Sequence, residues 1–117
     1  MTNKETEILW REEKYRVMFF SQAHYNEIRE AMRDGKPHEE IVALIEDALQ
    51  QTPTNGSRRN ACAHMWGYFK KFATLEEKAR YNTLIEQNEF RDLLYFLQLL
   101  AEHYDVKYLK ESRILQF

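Results

Sequence analysis

Residues that interrupt a helix are scarce in this sequence. Only three glycines and two prolines occur among its 117 residues, and apolar residues recur at helical spacing along most of the chain. This combination favours long helices over a strand-rich fold, which needs many turns. The length is that of one domain with its own core. We therefore predict an all-α fold, a single-domain helical bundle over residues 1–117.

The apolar periodicity and the few turn signals divide the chain into about five helices plus a short C-terminal helix. The fifth helix is apolar nearly all round over residues 93–100, and we predict that it is the core helix. The five predicted helices cover approximately residues 5–33, 38–51, 58–73, 75–88 and 89–104, and the short final helix lies within residues 105–114.

Individual residues mark several of the helix ends. Gly35 is predicted to end the first helix in the left-handed conformation, and Ser57 is predicted to cap the third helix. Thr74 and Glu77 match a capping box at the start of the fourth helix. We expect the fourth helix to bury four apolar side chains, Leu75, Ala79, Leu84 and Ile85.

A stretch without acidic residues lies in the middle of the chain. Residues 48–75 contain no Asp or Glu, but they include Arg58, Arg59, Lys70 and Lys71. The rest of the chain has 13 basic and 19 acidic residues, so a protein of net charge −2 consists of a +4 segment and a −6 remainder. The near-neutral total argues against a protein that binds nucleic acid over its whole surface, whereas a local patch can contact phosphates.

The same stretch has a helical pattern with an apolar and a polar face. The polar stripe consists of Asn60, His64, Gly67 and Lys71. Gly67 either lets a neighbouring helix cross closely or leaves the backbone open to a ligand. The apolar face is wide, and its side chains are Ala61, Cys62, Met65, Trp66, Tyr68, Phe69, Phe72 and Ala73.

Sequence motifs for catalysis, metal binding or membrane insertion are absent. The single cysteine, Cys62, cannot form an internal disulfide, which predicts a reducing, cytoplasmic setting. No apolar run reaches the length of a membrane span. A dyad of Cys62 with His24 or His64 is conceivable, but a lone cysteine on an apolar stripe is more often an inert core residue. No paired metal-ligand spacing occurs among the candidate ligands His24, His38, Cys62, His64 and His103, and we predict no metal and no cofactor.

Two motifs resemble the YbgA-like domain family, which has long been described as a domain of unknown function. The opening motif is LWREEKYRVM at residues 9–18, followed by Ser21, His24 and Tyr25. The central motif is Arg59-Asn60, His64 and GYFKK at residues 67–71. The later half of the chain also matches, at Glu77-Lys78, Ile85-Glu86, Leu99-Leu100, His103-Tyr104 and Lys107-Tyr108.

This resemblance implies a helical domain found alone or joined to a desulfidase-type domain that removes sulfur from thiolated uracil or from thiouridine in transfer RNA. The YbgA-like part looks like the RNA-recognition half of such joined proteins, and the iron–sulfur chemistry belongs to the other domain. This chain has no cysteine set that could hold a cluster. It departs from the family pattern at residues 88–92 and at its end, residues 113–117, so any role of the family's tail is not carried over. The residues carried over from the resemblance are Lys14, Tyr15, His24, Tyr25, Arg59, Asn60, His64, Tyr68, Lys70 and Lys71.

The resulting hypothesis is a non-catalytic domain that binds RNA, in particular tRNA, through the first and third helices. The basic residues would contact phosphates, and the aromatic residues and His64 would contact exposed bases. One alternative is a module that docks on a separately encoded desulfidase-type enzyme. Another is a small enzyme that uses His24 or His64 as an acid–base group. The predicted nucleic-acid contacts are Lys14, His24, Tyr25, Arg58, Arg59, Asn60, His64, Tyr68, Lys70 and Lys71.

Overall fold

Six helices of 12 to 17 residues and one short helix make up the described part of the chain, residues 4–117. The structure is a computed structural model that describes residues 4–117, and within this range it contains no strand. The predicted all-α fold is therefore confirmed. The helices are α1 (Lys4–Phe20), α2 (Gln22–Arg33), α3 (His38–Leu49), α4 (Asn55–Trp66), α5 (Leu75–Glu86), α6 (Phe90–His103) and α7 (Lys107–Lys110), and a 3₁₀ turn follows at Arg113–Leu115.

The predicted first helix is not continuous, because the chain breaks at Ser21 into α1 and α2. Ser21 has extended backbone angles, φ −162° and ψ 116°. Its hydroxyl accepts a hydrogen bond from the backbone N–H of His24 at 3.2 Å and lies 2.7 Å from Nδ1 of the same residue. Ser21 thus acts as the N-cap of α2, a role that serine performs well. The break needs neither glycine nor proline.

The start of α4 also differs from the prediction, since Thr54 and not Ser57 is the N-cap. The Thr54 hydroxyl accepts the backbone N–H of Ser57 at 2.9 Å, and the Ser57 hydroxyl accepts the backbone N–H of Thr54 at 3.0 Å. The Ser57 hydroxyl also lies 2.9 Å from the carbonyl oxygen of Phe19, to which it donates a hydrogen bond. One side chain therefore completes the capping box and ties the start of α4 to the end of α1.

The predicted caps after α2 and before α5 are confirmed, whereas α4 ends at Trp66 and not near Ala73 as predicted. Gly35 ends α2 with φ 70°, and Thr74 with Glu77 forms the capping box of α5. Asn88 after α5 and Asp105 after α6 also adopt the left-handed conformation, each with φ 54°. Asparagine and aspartate are the residues besides glycine that tolerate this conformation best.

The core lies between α1, α4 and α6. Helix α4 packs against both of the others. Helix α6, the predicted core helix, contributes one face to the core, but it is not enclosed on all sides, because Tyr95 and Leu99 on its other face are exposed. Helices α1 and α4 lie side by side, as the RNA hypothesis requires. The fully buried side chains from these three helices and the turn after α4 include Val17, Met18, Ala61, Cys62, Met65, Phe69, Leu93 and Leu97.

Helix α5 is attached through fewer side chains than predicted. Leu84 is buried and Ile85 half-buried, but Leu75 is 84% exposed and Ala79 is exposed as well. Tyr81 replaces them, because its ring stacks on Trp66 of α4 with centroids 4.4 Å apart and planes 5° apart. The prediction from helical spacing was thus right for Leu84 and Ile85 and wrong for Leu75 and Ala79.

The C-terminal segment returns to the bundle as predicted. Leu109 and Leu115 are almost completely buried, and the Gln98 side chain of α6 donates a hydrogen bond to the carbonyl oxygen of Leu115 at 2.8 Å. Across residues 4–117, every helix is too short or too polar to cross a membrane.

Candidate nucleic-acid interface

Helix α4 tightens after Trp66, and this change turns two aromatic side chains outward. Backbone hydrogen bonds of the i to i−3 type join Tyr68 to Met65 at 3.2 Å and Phe69 to Trp66 at 2.9 Å. Such turns advance about 120° per residue and not 100°. Tyr68 and Phe72, which helical spacing placed on the apolar face, are therefore 36% and 51% exposed, while Phe69 stays buried.

The tightened turn and the outer side of α4 present a surface that we call the basic face, formed by Arg59, His64, Tyr68, Lys70 and Lys71. All five residues are exposed. Among residues 4–117, no carboxylate lies within ion-pairing distance of its two lysines or its arginine. These cations are available to an external anion.

Gly67 lies in the middle of the basic face and does not mediate a helix crossing. It is exposed, and a Cβ atom at this position would meet only backbone atoms of the preceding turn, the nearest being the His64 carbonyl oxygen at 3.1 Å. Of the two interpretations of Gly67, close packing by a neighbouring helix is therefore wrong. The glycine leaves the backbone accessible between His64 and Lys71.

Two of the predicted contact residues belong to the protein interior. Tyr25 is buried and stacks on Trp10, with ring centroids 5.7 Å apart and planes 25° apart. Arg58 is half-buried, and its guanidinium carbon lies 5.9 Å from the ring centre of Phe19 and 5.7 Å from that of Phe90. Tyr25 has no face open to a base, and the Arg58 charge is held against two aromatic rings.

His24 holds two helices together. Its Nδ1 lies 2.7 Å from the Ser21 hydroxyl, and its Nε2 lies 3.3 Å from a carboxylate oxygen of Asp47 on α3. Both ring nitrogens therefore have partners. His24 is not among the residues that line the surface cleft containing His64, so this cleft does not bring the two histidines together.

Lys14 reaches the basic face through a cluster of tyrosines. Its ammonium nitrogen lies 5.6 Å from the ring centre of Tyr15, whose hydroxyl is 3.1 Å from that of Tyr68. Tyr68 in turn stacks on Tyr108 with centroids 6.0 Å apart. Burial, together with the hydrogen bond to Tyr68, raises the pKa of Tyr15. Tyr15 stays neutral and joins α1 to the turn that carries Tyr68, Lys70 and Lys71.

A cleft of about 480 Å³ opens beside the basic face, where α1 breaks and α4 begins. Three separate parts of the chain line it: the α1–α2 junction, the loop before α4 and the first turns of α4. Sequence reasoning selected Asn60 and His64 but missed the cleft, because no local pattern indicates that the α1–α2 junction meets the loop before α4. The residues that line the cleft and carry hydrogen-bonding groups in their side chains are Ser21, Gln22, Gln51, Thr52, Thr54, Ser57, Asn60 and His64.

Asn60 and His64 differ in how they are held. The Asn60 amide donates a short hydrogen bond to the side-chain oxygen of Gln22, and the Gln22 amide donates to Asn26 at 3.0 Å. The His64 ring nitrogens have no hydrogen-bond partner among the described residues. The orientation of the Asn60 side chain is thus fixed by Gln22, whereas the His64 ring is free to contact a ligand.

The structure places Cys62 where it cannot act as a nucleophile. The thiol is completely buried, and burial raises its pKa to about 12, so it is protonated at neutral pH. His64 lies on the exposed side of the same helix. A Cys62–His64 dyad is therefore incompatible with the structure. Within residues 4–117, no three His, Cys, Asp or Glu side chains come together in a way that could hold a metal ion.

These features define an all-helical domain with an unpaired basic face and an adjacent polar cleft. A family model described as "Protein of unknown function (DUF1722)" matches residues 14–117. The match covers most of the chain, so the protein belongs to this family, in agreement with its resemblance to YbgA-like domains. Comparisons with the curated proteins and with the solved structures found no match.

Proposed function

We propose that this protein is a non-catalytic accessory domain that binds RNA, in particular tRNA, through the basic face. The observation that carries the proposal is the set of three exposed cations, Arg59, Lys70 and Lys71, which lack carboxylate partners among the described residues. Exposed cations without carboxylate partners are available to an external anion, and a phosphate backbone presents several negative charges at once.

The spacing of the cations fits a polyanion better than a single phosphate group. Arg59 lies in α4, whereas Lys70 and Lys71 lie in the turns that follow Trp66. About 10 Å of helix, at 1.5 Å per residue, separates Arg59 from the start of those turns, which is more than a single phosphate group spans. Tyr68 and His64 lie between the two ends and can stack on or hydrogen-bond to unpaired bases, the mode by which RNA sequences are commonly read.

The proposed biological setting comes from the family resemblance. It implies a link to the desulfuration of thiouridine or thiouracil, in the cytoplasm, with the chemistry carried out by a desulfidase-type partner. With one cysteine in 117 residues, this chain does not supply the thiolates of an iron–sulfur cluster. Its part in the process would be to hold the RNA.

The proposal is tested by removing the three cations together. We expect Arg59→Ala/Lys70→Ala/Lys71→Ala to weaken tRNA binding by tenfold or more at low salt. The slope of log affinity against log salt concentration should fall by about 2, because each lost phosphate contact contributes about 0.7 to 0.9. The measurement is fluorescence anisotropy of labelled tRNA over a salt series, and thiolated and unmodified tRNA are then compared.

A matched control removes the same charge from another surface. Arg29→Ala/Arg33→Ala/Lys36→Ala takes three exposed cations from α2 and the loop after it. This variant should keep most of the affinity and the salt slope. Equal losses in the two variants would contradict a specific basic face, and an unaffected salt slope in the first variant would contradict its role in phosphate binding.

If the unsubstituted protein does not bind tRNA at low salt, the proposal is wrong and the second candidate is favoured, a module that docks on a separately encoded desulfidase-type enzyme. The observation that favours this candidate is the outer side of α6, where Tyr95 and Leu99 are about half exposed and Phe117 is 70% exposed. Co-purification that resists ribonuclease and is lost in Leu99→Asp would support docking.

A further inference from the structure

The cleft beside the basic face has a lining that is polar but uncharged. The side chains that offer free surface are the ring of Phe20, the amides of Gln22, Gln51 and Asn60, the hydroxyl of Thr52 and the imidazole of His64. None of the residues that line the cleft is acidic, lysine or arginine. The lining therefore offers hydrogen-bond donors and acceptors together with one aromatic surface.

This chemistry excludes two classes of ligand. A hard cation such as Ca²⁺ would require carboxylates, which the lining lacks. An apolar ligand would cover the Asn60 carbonyl oxygen and the His64 ring nitrogens without giving them a hydrogen bond, which is unfavourable. A neutral, planar ring with donors and acceptors on its edge satisfies Asn60 and His64 and can also contact Phe20.

Asn60 is positioned to read such an edge. Its amide nitrogen donates to Gln22, which in turn donates to Asn26, so the side chain is fixed from one side. Its carbonyl oxygen has no partner among the described residues, and one amide hydrogen also remains. An amide that presents one donor and one acceptor in a plane can pair with the edge of a base, as asparagine and glutamine do with adenine.

The cleft and the basic face share His64. They also meet at α4, where Arg59 of the basic face precedes Asn60 of the cleft. A strand whose phosphates follow Arg59, Lys70 and Lys71 therefore passes the opening of the cleft. The volume of about 480 Å³ lies within the range of about 300–1,000 Å³ that is typical of small-molecule sites.

We propose that the cleft receives one unpaired nucleobase of an RNA strand bound along the basic face, with Asn60 pairing with its edge and His64 closing over it. This inference rests on the RNA-binding function proposed above and specifies the part of the RNA that is recognised. Bases turned out of a stack into protein pockets are held in the same way, by hydrogen bonds to their edge and by contact with an aromatic ring.

The test compares two probes of equal charge. One is a labelled, unstructured 12-nucleotide RNA that contains all four bases, and the other is an abasic phosphodiester of the same length. We expect the unsubstituted protein to bind the RNA at least tenfold more tightly than the abasic probe. This preference should fall at least fivefold in Asn60→Leu and in His64→Ala. It should persist in Asn82→Leu, a matched change at an exposed amide on α5.

Melting temperatures verify that each variant is folded, and His64→Ala is the safer of the two because His64 is exposed and makes no hydrogen bond to the described residues. Equal affinity for the two probes would overturn the base-binding cleft and leave RNA binding through phosphates intact. A preference for the RNA that persists in both variants would also overturn the base-binding cleft, because stacking of bases on Tyr68 would then explain that preference. Failure to bind either probe at low salt would overturn the RNA-binding function itself.

Discussion

Arg58 and Arg59 are neighbours in sequence but lie in different environments. The Arg58 guanidinium is held over the rings of Phe19 and Phe90, which joins α4 to the end of α1 and the start of α6. Arg59 is exposed. Because α4 begins at Asn55, both arginines lie in its second turn, where the unfavourable interaction with the helix dipole is weaker than in the first turn. One arginine stabilises the fold, and the other is free for a partner.

The two roles can be separated by single substitutions. We expect Arg58→Ala to lower the free energy of unfolding by about 1–2 kcal/mol, because it removes two cation–π contacts and the packing of the side-chain stem. The salt slope of RNA binding should not change. Arg59→Ala should reduce the slope of log affinity against log salt concentration by about 1 and change the free energy of unfolding by no more than about 0.5 kcal/mol. Urea denaturation measures the stability and fluorescence anisotropy measures the salt slope. A loss of stability in Arg59→Ala together with a smaller salt slope in Arg58→Ala would contradict the structure.

At the scale of the elements, the sequence predicted most helix positions and two of their caps. The signals were local: Gly35 after α2, and Thr74 with Glu77 at the start of α5. The break at Ser21 was not predicted, because no glycine or proline marks it. The signal that could have shown it is a serine followed three residues later by His24, two polar residues in an otherwise apolar face.

The misassigned residues have a common physical cause. Tyr68 is exposed because the chain tightens after Trp66, and Leu75 is exposed because Tyr81 stacking on Trp66 sets the orientation of α5. Both depend on contacts or turn geometry that a constant 3.6-residue period does not contain. The exposed cations of the basic face were predicted from local charge, but the cleft depends on residues more than 30 positions apart and has no local signature.

The capping box of α5 gives a prediction with a defined pH dependence. Glu77 accepts a hydrogen bond from the Tyr104 hydroxyl at 2.5 Å and from the backbone N–H of Thr74 at 2.9 Å. The bond from Tyr104, followed by those from Thr74, holds the pKa of Glu77 below its usual value. A carboxylate with a lowered native pKa stabilises the fold above its unfolded-state pKa, and this contribution is lost as the pH falls through the native value.

We therefore expect Tyr104→Phe to lower stability at pH 7 and to have a smaller effect in acid, as the pH falls through the lowered native pKa of Glu77. Urea unfolding at pH 7, 5 and 3 measures the difference. Tyr95→Phe is the control, because Tyr95 is an exposed tyrosine on α6. A loss of equal size at all three pH values would show that the hydroxyl does not act through the charge of Glu77.

At the scale of the whole molecule, the core contains several acidic groups that are held neutral. Burial raises the pKa of Cys62 and of Tyr81 to about 12 each, and it raises that of Tyr15 as well. The native protein keeps these protons at pH values where the unfolded chain has lost them. Since the native state then binds more protons than the unfolded state, the free energy of unfolding falls as the pH rises.

The expected result is a loss of stability that begins near pH 9. Cys62 alone should account for about 2 kcal/mol between pH 9 and pH 11, at about 1.4 kcal/mol for each pKa unit. Cys62→Ala removes this contribution, so its unfolding free energy should decline less over the same range. Thermal and urea unfolding from pH 7 to pH 11 provide the comparison. Parallel curves for the two proteins would mean that the thiol is not buried.

The uneven distribution of charge along the chain also means that one side of the molecule is attracted to a polyanion more strongly than the rest. Four cations and no carboxylate lie within residues 48–75, which include α4 and the turn after it, while the remainder carries a net charge of −6. A polyanion attracts the first surface and repels the rest, so the protein is rotated into its docking orientation before contact. The same repulsion acts between the acidic sides of neighbouring copies. If the proposed RNA binding holds, such a domain would occupy an RNA at isolated positions and would not coat it, which suits a component that leaves the strand accessible to an enzyme.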